Sequence, residues 1–234
     1  MHKSEIYPDV VRRIVERRGS THIFYKLEPA KTALIVIDMQ NCWVMKDQPG
    51  YSPACSGIVP NINRLAATLR DCGGQVSWVQ LNGSREVTAN WQRYRDFHPT
   101  QALFNAWSDA LTPGQIGYAL WAGLDVRPGD LKIEKHRFSA FIQGSSNLHA
   151  ELTKRAIDTV LITGTATNIS CEATARDANM LDYRVIMVSD ANVTRSNAEH
   201  NATLSNLFGL FADVMTTEEI VTRLKRATKA QQAK

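Results

Sequence analysis

The sequence is poor in the patterns that announce most specialised chemistries. It has four cysteines, Cys42, Cys55, Cys72 and Cys171, with no C-x-x-C pair and no metal-ligand spacing, so neither a disulfide framework nor a zinc site is expected. Such sparse use of cysteine fits free thiols in a reducing cytoplasm. No apolar run approaches the roughly 20 residues of a membrane span, and the opening MHKSEIYPDVVRRIVERRG is charged, unlike a signal peptide. A G-x-G-x-x-G loop is lacking, which argues against a nucleotide cofactor. Charge of one sign is lacking too: the net charge is +4. The two basic clusters, Arg12, Arg13, Arg17 and Arg18 and then Lys225, Arg226 and Lys229, read as solvated helix faces rather than a nucleic-acid surface. Internal repeats and low-complexity stretches are absent.

What is present is an alternation of short apolar runs with helical patterns over 234 residues, 44% of them hydrophobic. Residues 33–38 (ALIVID) form a nearly continuous β-branched run, the mark of a buried parallel strand. Residues 58–69 carry helical spacing, stopped by Gly73 and Gly74, and 75–81 (QVSWVQL) read as a second strand. Further strands are expected at 130–134, 159–163, 184–189 and 213–215, with helices at 147–156, 168–181, 198–211 and 217–226. Thr216 or Thr217 is expected to cap the last of these. The expected fold is therefore α/β: a three-layer, doubly wound sheet of about six parallel strands with helices on both faces. Residues 31–234 form this domain, and 1–30 form an N-terminal helical arm, its helix near 8–18, that packs on the domain or on a second subunit. Residues 82–129 break the alternation. They are rich in aromatics, among them Trp91, Tyr94, Phe97, Phe104, Trp107 and Trp121. A long irregular segment of this kind suits either a lid or packed surface helices, and Trp91, Tyr94 or Phe97 would be placed to close over a substrate and exclude water.

In open parallel sheets, ligands bind beyond the carboxyl ends of the strands. Strand one ends at Asp38, strand three at Lys135, and strand four in Gly164-Thr165-Ala166-Thr167-Asn168-Ile169-Ser170-Cys171-Glu172, which opens a helix; strand five ends at Asp190. Each residue alone has an ordinary reading, Asp38 as a cap and Lys135 as a solvated lysine. Gathered at one edge they suit acyl transfer. Free N–H groups at a helix start activate a nucleophile and bind an oxyanion, a carboxylate moves the proton, and an ammonium steadies both charges.

Three separated motifs then resemble a known family. VIDMQN after strand one, a lone lysine ending strand three, and the helix-opening TGTATNISCEATARD are similar to the isochorismatase-like cysteine hydrolases. The resemblance spans about residues 31–216. Within that superfamily, TGTATNISCEATARD and the run from Lys135 to Phe141 most resemble the ureidoacrylate amidohydrolases and related carbamoyl-amide hydrolases. The resemblance implies a small-molecule amide or ureido substrate, Asp38 as general base and acid, and Lys135 as its charge partner. It also implies a non-proline cis peptide at Thr165–Ala166 and an oxyanion hole built from the backbone N–H groups of Ala166 and Ser170. A homodimer or homotetramer is implied as well.

The chain departs from the family at the nucleophile. With Thr167-Asn168 before and Glu172, Thr174 and Arg176-Asp177 after fixing the register, the family's cysteine aligns with Ser170, not with Cys171. One residue along a helix is a rotation of about 100°, so Cys171 is expected to point away from Asp38 and Lys135 as a small buried thiol. Three explanations stand for Ser170. The preferred one is a cysteine-to-serine change that disables turnover and traps substrate; the others are a native serine nucleophile and chemistry that needs no nucleophile. The third resembles the vinyl-ether cleavage of true isochorismatases, which carry a histidine where this chain has Asn168. A non-catalytic binding relative is a further reading, against which the presence of both Asp38 and Lys135 argues. Nicotinamidases of the superfamily bind a metal through an Asp and several His after strand two. Here that stretch is Asn82-Gly83-Ser84-Arg85-Glu86, so no metal is expected, and His98 and His136 read as pocket-edge or surface residues. Asn41, Trp43, Asn82, Phe138 and Phe141 are the candidate substrate-binding residues.

Overall fold

A computed structural model describes residues 2–232. Six strands make one sheet: β1 (Thr32–Ile37), β2 (Gln75–Leu81), β3 (Leu131–Lys135), β4 (Thr159–Thr165), β5 (Arg184–Val193) and β6 (Asp213–Met215). Every pairing is parallel and the order is β3-β2-β1-β4-β5-β6. The helices are α1 (Pro8–Arg18), α2 (Asn41–Val44), α3 (Pro53–Gly57), α4 (Val59–Asp71), α5 (Arg85–Thr88), α6 (Gln92–Asp96), α7 (Gln101–Ala110), α8 (Leu148–Thr153), α9 (Glu172–Met180), α10 (Asn197–Leu210) and α11 (Thr217–Gln232). The chain lays β1, β2 and β3 outward in one direction, returns to place β4 on the other side of β1, and continues outward to β6. The direction of winding therefore reverses between β1 and β4, and a reversal of this kind opens a crevice at the carboxyl edge.

Side-chain alternation splits the apolar content between two faces. Ile35, Ile37, Val79, Ile133 and Ile162 pack with Leu204, Leu207 and Phe208 of α10 and with Ala175 and Ala178 of α9. On the other face Leu34, Val36, Trp78, Leu161 and Ile186 pack with Ile62, Leu65 and Leu69 of α4 and with Ile220 and Leu224 of α11. The central strand β1 is buried along its whole length, as expected of a strand covered by helices on both sides.

Several elements are longer or more divided than the sequence pattern predicts. β5 does not stop at Asp190 but runs to Val193, with a register shift opposite Ile162 and Gly164. Asp190 serves instead as a tie: its Oδ1 accepts from the N–H and hydroxyl of Thr217, each at 2.8 Å, and its carbonyl accepts from Asn61 at 2.7 Å. Of the two expected caps, Thr216 makes the reciprocal capping box. Glu219 N–H donates to Thr216 Oγ1 at 3.3 Å while Thr216 N–H donates to Glu219 Oε2 at 2.8 Å. The helix expected over 168–181 begins instead with a wide π turn, Thr167–Cys171, and becomes α-helical from Glu172. The irregular stretch 82–129 holds α5, α6 and α7. The arm helix α1 packs on α10 of its own chain through buried Ile14, with Arg17 and Arg18 donating to the carbonyls of Gly209 and Phe208.

Gly164 sets the spacing between β1 and β4. Its φ is +117°, and a Cβ there would overlap the Ile37 carbonyl oxygen. Gly164→Ala is accordingly expected to destabilise the protein by about 3 kcal/mol or more, read as a lowered midpoint in chemical denaturation with an unchanged slope.

Candidate active site

The winding reversal brings three polar side chains together below the surface. Asp38 follows the last residue of β1, Lys135 ends β3, and Ser170 lies in the π turn after β4. They are 2%, 0% and 4% exposed. Lys135 starts two strands away from Asp38, with β2 between them, and neighbouring strands lie roughly 4.8 Å apart. A long side chain is therefore needed to cross the end of β2, and lysine supplies it. Its Nζ reaches Asp38 Oδ2 at 3.0 Å and donates to Ser170 Oγ at 3.3 Å and to the Arg137 carbonyl at 3.1 Å. The three contacts match the three donors of an ammonium.

Strict alternation along β1 would send Asp38 to the face of Leu34 and Val36, whereas Lys135 shares its face with Ile133. The backbone of Asp38 resolves this with a φ of +54°. That left-handed conformation is tolerated by aspartate better than by most side chains. The Asp38 N–H remains anchored to the Val79 carbonyl at 2.9 Å. Oδ1 of Asp38 is buried and has no hydrogen-bond partner. Burial raises the Asp38 carboxyl above its ordinary value, while the Lys135 charge and the Ser170 hydroxyl beside it act in the opposite direction.

The structure separates Ser170 from its neighbour as the helical rotation requires. Cys171 is fully buried, its Sγ lies 3.9 Å from the Thr163 carbonyl, and burial drives its thiol well above the ordinary value. The peptide Thr165–Ala166 is cis. The Ala166 carbonyl accepts from the N–H groups of Ile169 at 3.1 Å and Cys171 at 3.2 Å, which winds the π turn around it. A second tie holds the turn from below. Thr167 Oγ1 lies 2.9 Å from Nδ1 of buried His200, whose Nε2 is 3.1 Å from both the Ser189 carbonyl and the Ser4 hydroxyl. His200 also stacks on His2 at 4.6 Å, and burial holds its imidazole down at about 4. The sequence reading did not single out His200. A histidine on an apolar helix has no signal of its own, and its partners lie 33 and 196 residues away.

Of the proposed substrate-binding residues, the structure brings some near the trio and occupies others with different work. Asn82 is taken up by Glu134 Oε1, to which it donates at 3.0 Å, and by the Ser84 N–H, which it accepts at 3.0 Å. Asn41 donates to the Ile116 carbonyl at 2.8 Å and so helps fasten the irregular segment. Gln40, next to it, is fully buried and does the same more firmly, exchanging bonds with both backbone groups of Leu81 and donating to the Tyr118 carbonyl. Phe141 is a core residue. Its ring lies 5.4 Å from that of Tyr183, which precedes β5 at the amino edge of the sheet, and 6.5 Å from His149. Trp43 and Phe138 are half-buried and belong to one aromatic network. Trp43 meets Trp107 edge-on at 4.9 Å, while Phe138 meets Trp91 at 4.8 Å and Tyr94 at 5.8 Å. Phe97 is 89% exposed and takes no part in it. His98 lies against Tyr94, Phe104 and Trp107, and His136 pairs with Glu134 at 2.9 Å near the surface. Among the described residues no group of three His, Cys, Asp or Glu side chains is arranged to hold a metal ion, and no helix is long and apolar enough to cross a membrane.

Comparison with known proteins supplies independent observations. The isochorismatase domain model matches residues 32–219. An isochorismatase family protein of Bacillus subtilis, YwoC, is 33% identical over 201 residues, covering 83% of this chain and 95% of its own length. A ureidoacrylate amidohydrolase, RutB, of Methylobacterium radiotolerans is 30% identical over 208 residues, covering 82% and 80%. Among solved structures, a cysteine hydrolase from Pseudomonas syringae pv. phaseolicola superposes with a TM-score of 0.77 at 27% identity, covering 86% of this chain and 95% of that one. N-carbamoylsarcosine amidase from Thermoplasma acidophilum superposes at 0.63 with 26% identity, covering 80% and 97%.

The buried pair makes a stability prediction with a definite sign. Without Lys135, Asp38 is a buried carboxyl with no cation, and its folded value rises further. The folded state then holds its proton after the unfolded chain, at an ordinary 3.8, has released it. Stability is therefore lost as pH rises from 3.8 through the raised folded value. Lys135→Ala is expected to cost little in acid and about 3–5 kcal/mol above that window. Pairing it with Asp38→Asn should recover most of the loss. Denaturant midpoints across pH, for both variants, check this.

Proposed function

The chain belongs to the isochorismatase family, and from that premise we propose that it acts on the C–N bond of a small linear amide or ureido compound, with Asp38, Lys135 and Ser170 as the reacting trio. The observation that carries this reading is the asymmetry of Asp38: Oδ2 is held by Lys135 while Oδ1 is buried without a partner. A buried carboxylate oxygen left free beside a hydroxyl is fitted to accept a proton and return it. RutB and N-carbamoylsarcosine amidase, the relatives named for amide and carbamoyl cleavage, support the choice of bond.

The chemistry is complete when residue 170 is a thiol. Asp38 takes the thiol proton and the thiolate attacks the substrate carbonyl carbon, forming the C–S bond. The N–H groups of Ala166 and residue 170 receive the negative oxygen. The C–N bond then breaks, and Asp38 gives its proton to the departing ammonia or amine. Water next attacks the thioester and surrenders a proton to Asp38, the C–S bond breaks, and Asp38 returns that proton to the sulfur. Lys135 keeps Asp38 charged between these transfers and fixes its orientation. With Ser170 the constellation is intact but the nucleophile is weak, so this chain binds its substrate and turns it over slowly. Cys171, turned away and held as a neutral thiol, does not replace it.

Ser170→Cys is expected to raise ammonia release from a panel of ureido acids and primary amides by about two orders of magnitude or more. Equal rates for Ser170, Cys and Ala at this position would sink the covalent mechanism and favour cleavage without a nucleophile.

In the Ser170→Cys protein, Asp38→Asn should lower kcat by about 10²–10⁴-fold. Because Asp38 acts as a base, the acid limb of kcat/KM should fall as Asp38 protonates, with a midpoint above 3.8. A pH–rate profile measures it; a midpoint at or below that value contradicts the role.

A further inference from the structure

The turn that carries Ser170 has no side-chain cap of its own. It starts at Ala166, whose methyl group offers no hydrogen bond, and its first two residues are tied from outside instead. Thr167, fully buried, meets His200 Nδ1 at 2.9 Å, and Asn168 Oδ1 accepts from the Thr194 hydroxyl at 2.6 Å. Both ties lead back to the opening segment of the chain. His200 Nε2 lies 3.1 Å from Ser4 Oγ, and the Thr194 N–H donates to His2 Nε2 at 3.0 Å. The rings of His2 and His200 stack at 4.6 Å and join the two routes. Two residues of the opening segment thus reach two consecutive residues of the turn, through one intermediate each. The segment itself is seated on a stripe of α10. Asn197, Asn201 and Ser205 recur every four residues on one helix face, and they engage His2 Nδ1 at 2.7 Å, the Glu5 N–H at 3.0 Å and the Tyr7 N–H at 3.0 Å.

The protons on the first route have one arrangement. The Ser189 carbonyl, 3.1 Å from His200 Nε2, can only accept, and the Ser4 hydroxyl already donates to that carbonyl at 2.8 Å. Nε2 therefore carries the ring proton. Burial keeps the ring neutral, so Nδ1 is an acceptor and the Thr167 hydroxyl donates to it. The imidazole is a rigid spacer with one polar end on the opening segment and the other on the turn.

We propose that His200 is a positioning residue, set by Ser4 and His2, that acts through Thr167 to hold residue 170 against Lys135 and Asp38. Thr167 stands between Ala166 and Ser170, so a shift of its side chain moves the Ala166 N–H and the residue-170 side chain together. A misplacement of about 1 Å at a reacting group lowers turnover by roughly a hundredfold. The consequence for turnover rests on the amide or ureido reading of the site. The placement of residue 170 does not, and it is measured separately.

The placement arm uses Ser170→Cys as background and iodoacetamide as probe, with peptide mass spectrometry reading alkylation at position 170 alone. A thiol seated there faces the Lys135 ammonium and the Asp38 carboxylate, and the ammonium contact favours the thiolate. Thr167→Val removes the hydroxyl and nearly keeps the shape. It should raise the midpoint of the alkylation pH profile by about one unit, and Thr167→Ser should restore it. His2→Ala combined with Ser4→Ala should shift the midpoint the same way by less. Ser4→Ala should have its effect only while the Thr167 hydroxyl is present, because both act on one ring. The turnover arm measures ammonia release in the same background. There Thr167→Val should lower kcat about tenfold or more with KM little changed. If Thr167→Val fails to fold, the His2→Ala and Ser4→Ala protein decides, since both residues are only partly buried. The proposal is overturned if the alkylation midpoint does not move in any folded variant, or if the variants lower the thermal midpoint while the alkylation profile and kcat stay unchanged. A shifted profile with no ammonia release from any compound would leave His200 in its role and remove the hydrolase reading. Ammonia release that is indifferent to every variant would keep the hydrolase reading and remove His200 from its role.

Discussion

The ion pair between Lys135 and Asp38 is the constraint around which the carboxyl edge is organised. Two opposite charges with almost no exposure are costly to bury, and they are tolerated where geometry and further hydrogen bonds satisfy them. Here the demand is met by the sheet itself. The reversal of winding between β1 and β4 leaves room at the end of β1, the parallel register sets Lys135 beside Leu81, and the positive φ of Asp38 turns its carboxylate toward the ammonium. Gly164 lets β4 approach closely enough for the π turn to deliver Ser170 as the third contact. Each of these features belongs to the sheet and also serves the pair.

Much of this was legible in the sequence because it depends on local pattern and strand order. Short strand patterns, most of them apolar runs, marked all six strands, and the rule that ligands gather at the carboxyl ends of parallel strands selected Asp38, Lys135 and the turn after β4. Register alone separated Ser170 from Cys171, since neighbouring helix positions face different directions. The less legible parts depend on long-range partners. Asn82 and Asn41 carry polar groups suited to a ligand, yet Glu134 and the Ile116 carbonyl engage them. Phe141 has a binding residue's chemistry, but its ring is turned to the amino edge and Tyr183. The extension of β5 past Asp190 follows from a register shift against β4 that no periodicity announces.

The stretch between β2 and β3 gains its order from aromatic packing. α5 and α6 are too short to be stable alone, and their rings supply what their length does not. Trp91, Tyr94, Phe104 and Phe138 form one network of edge and stacked contacts, with the Arg137 guanidinium 5.0 Å from the Trp91 ring. Gln40 fastens the far end of the same stretch to β2. The stretch is thus held by ring contacts and a few hydrogen bonds, whereas the Lys135–Asp38 pair is held by the sheet.

The seat of His200 joins the two ends of the chain's history. Thr167 in the turn that carries Ser170 rests on His200, and His200 rests on Ser4 and His2, with His2 also bonded to Thr194 and Asn197. His2 and Ser4 can therefore dock only where α10 is in place, and the same helix gives the turn that carries Ser170 its floor. The carboxyl edge is in this sense closed by contacts spanning some 195 positions of sequence.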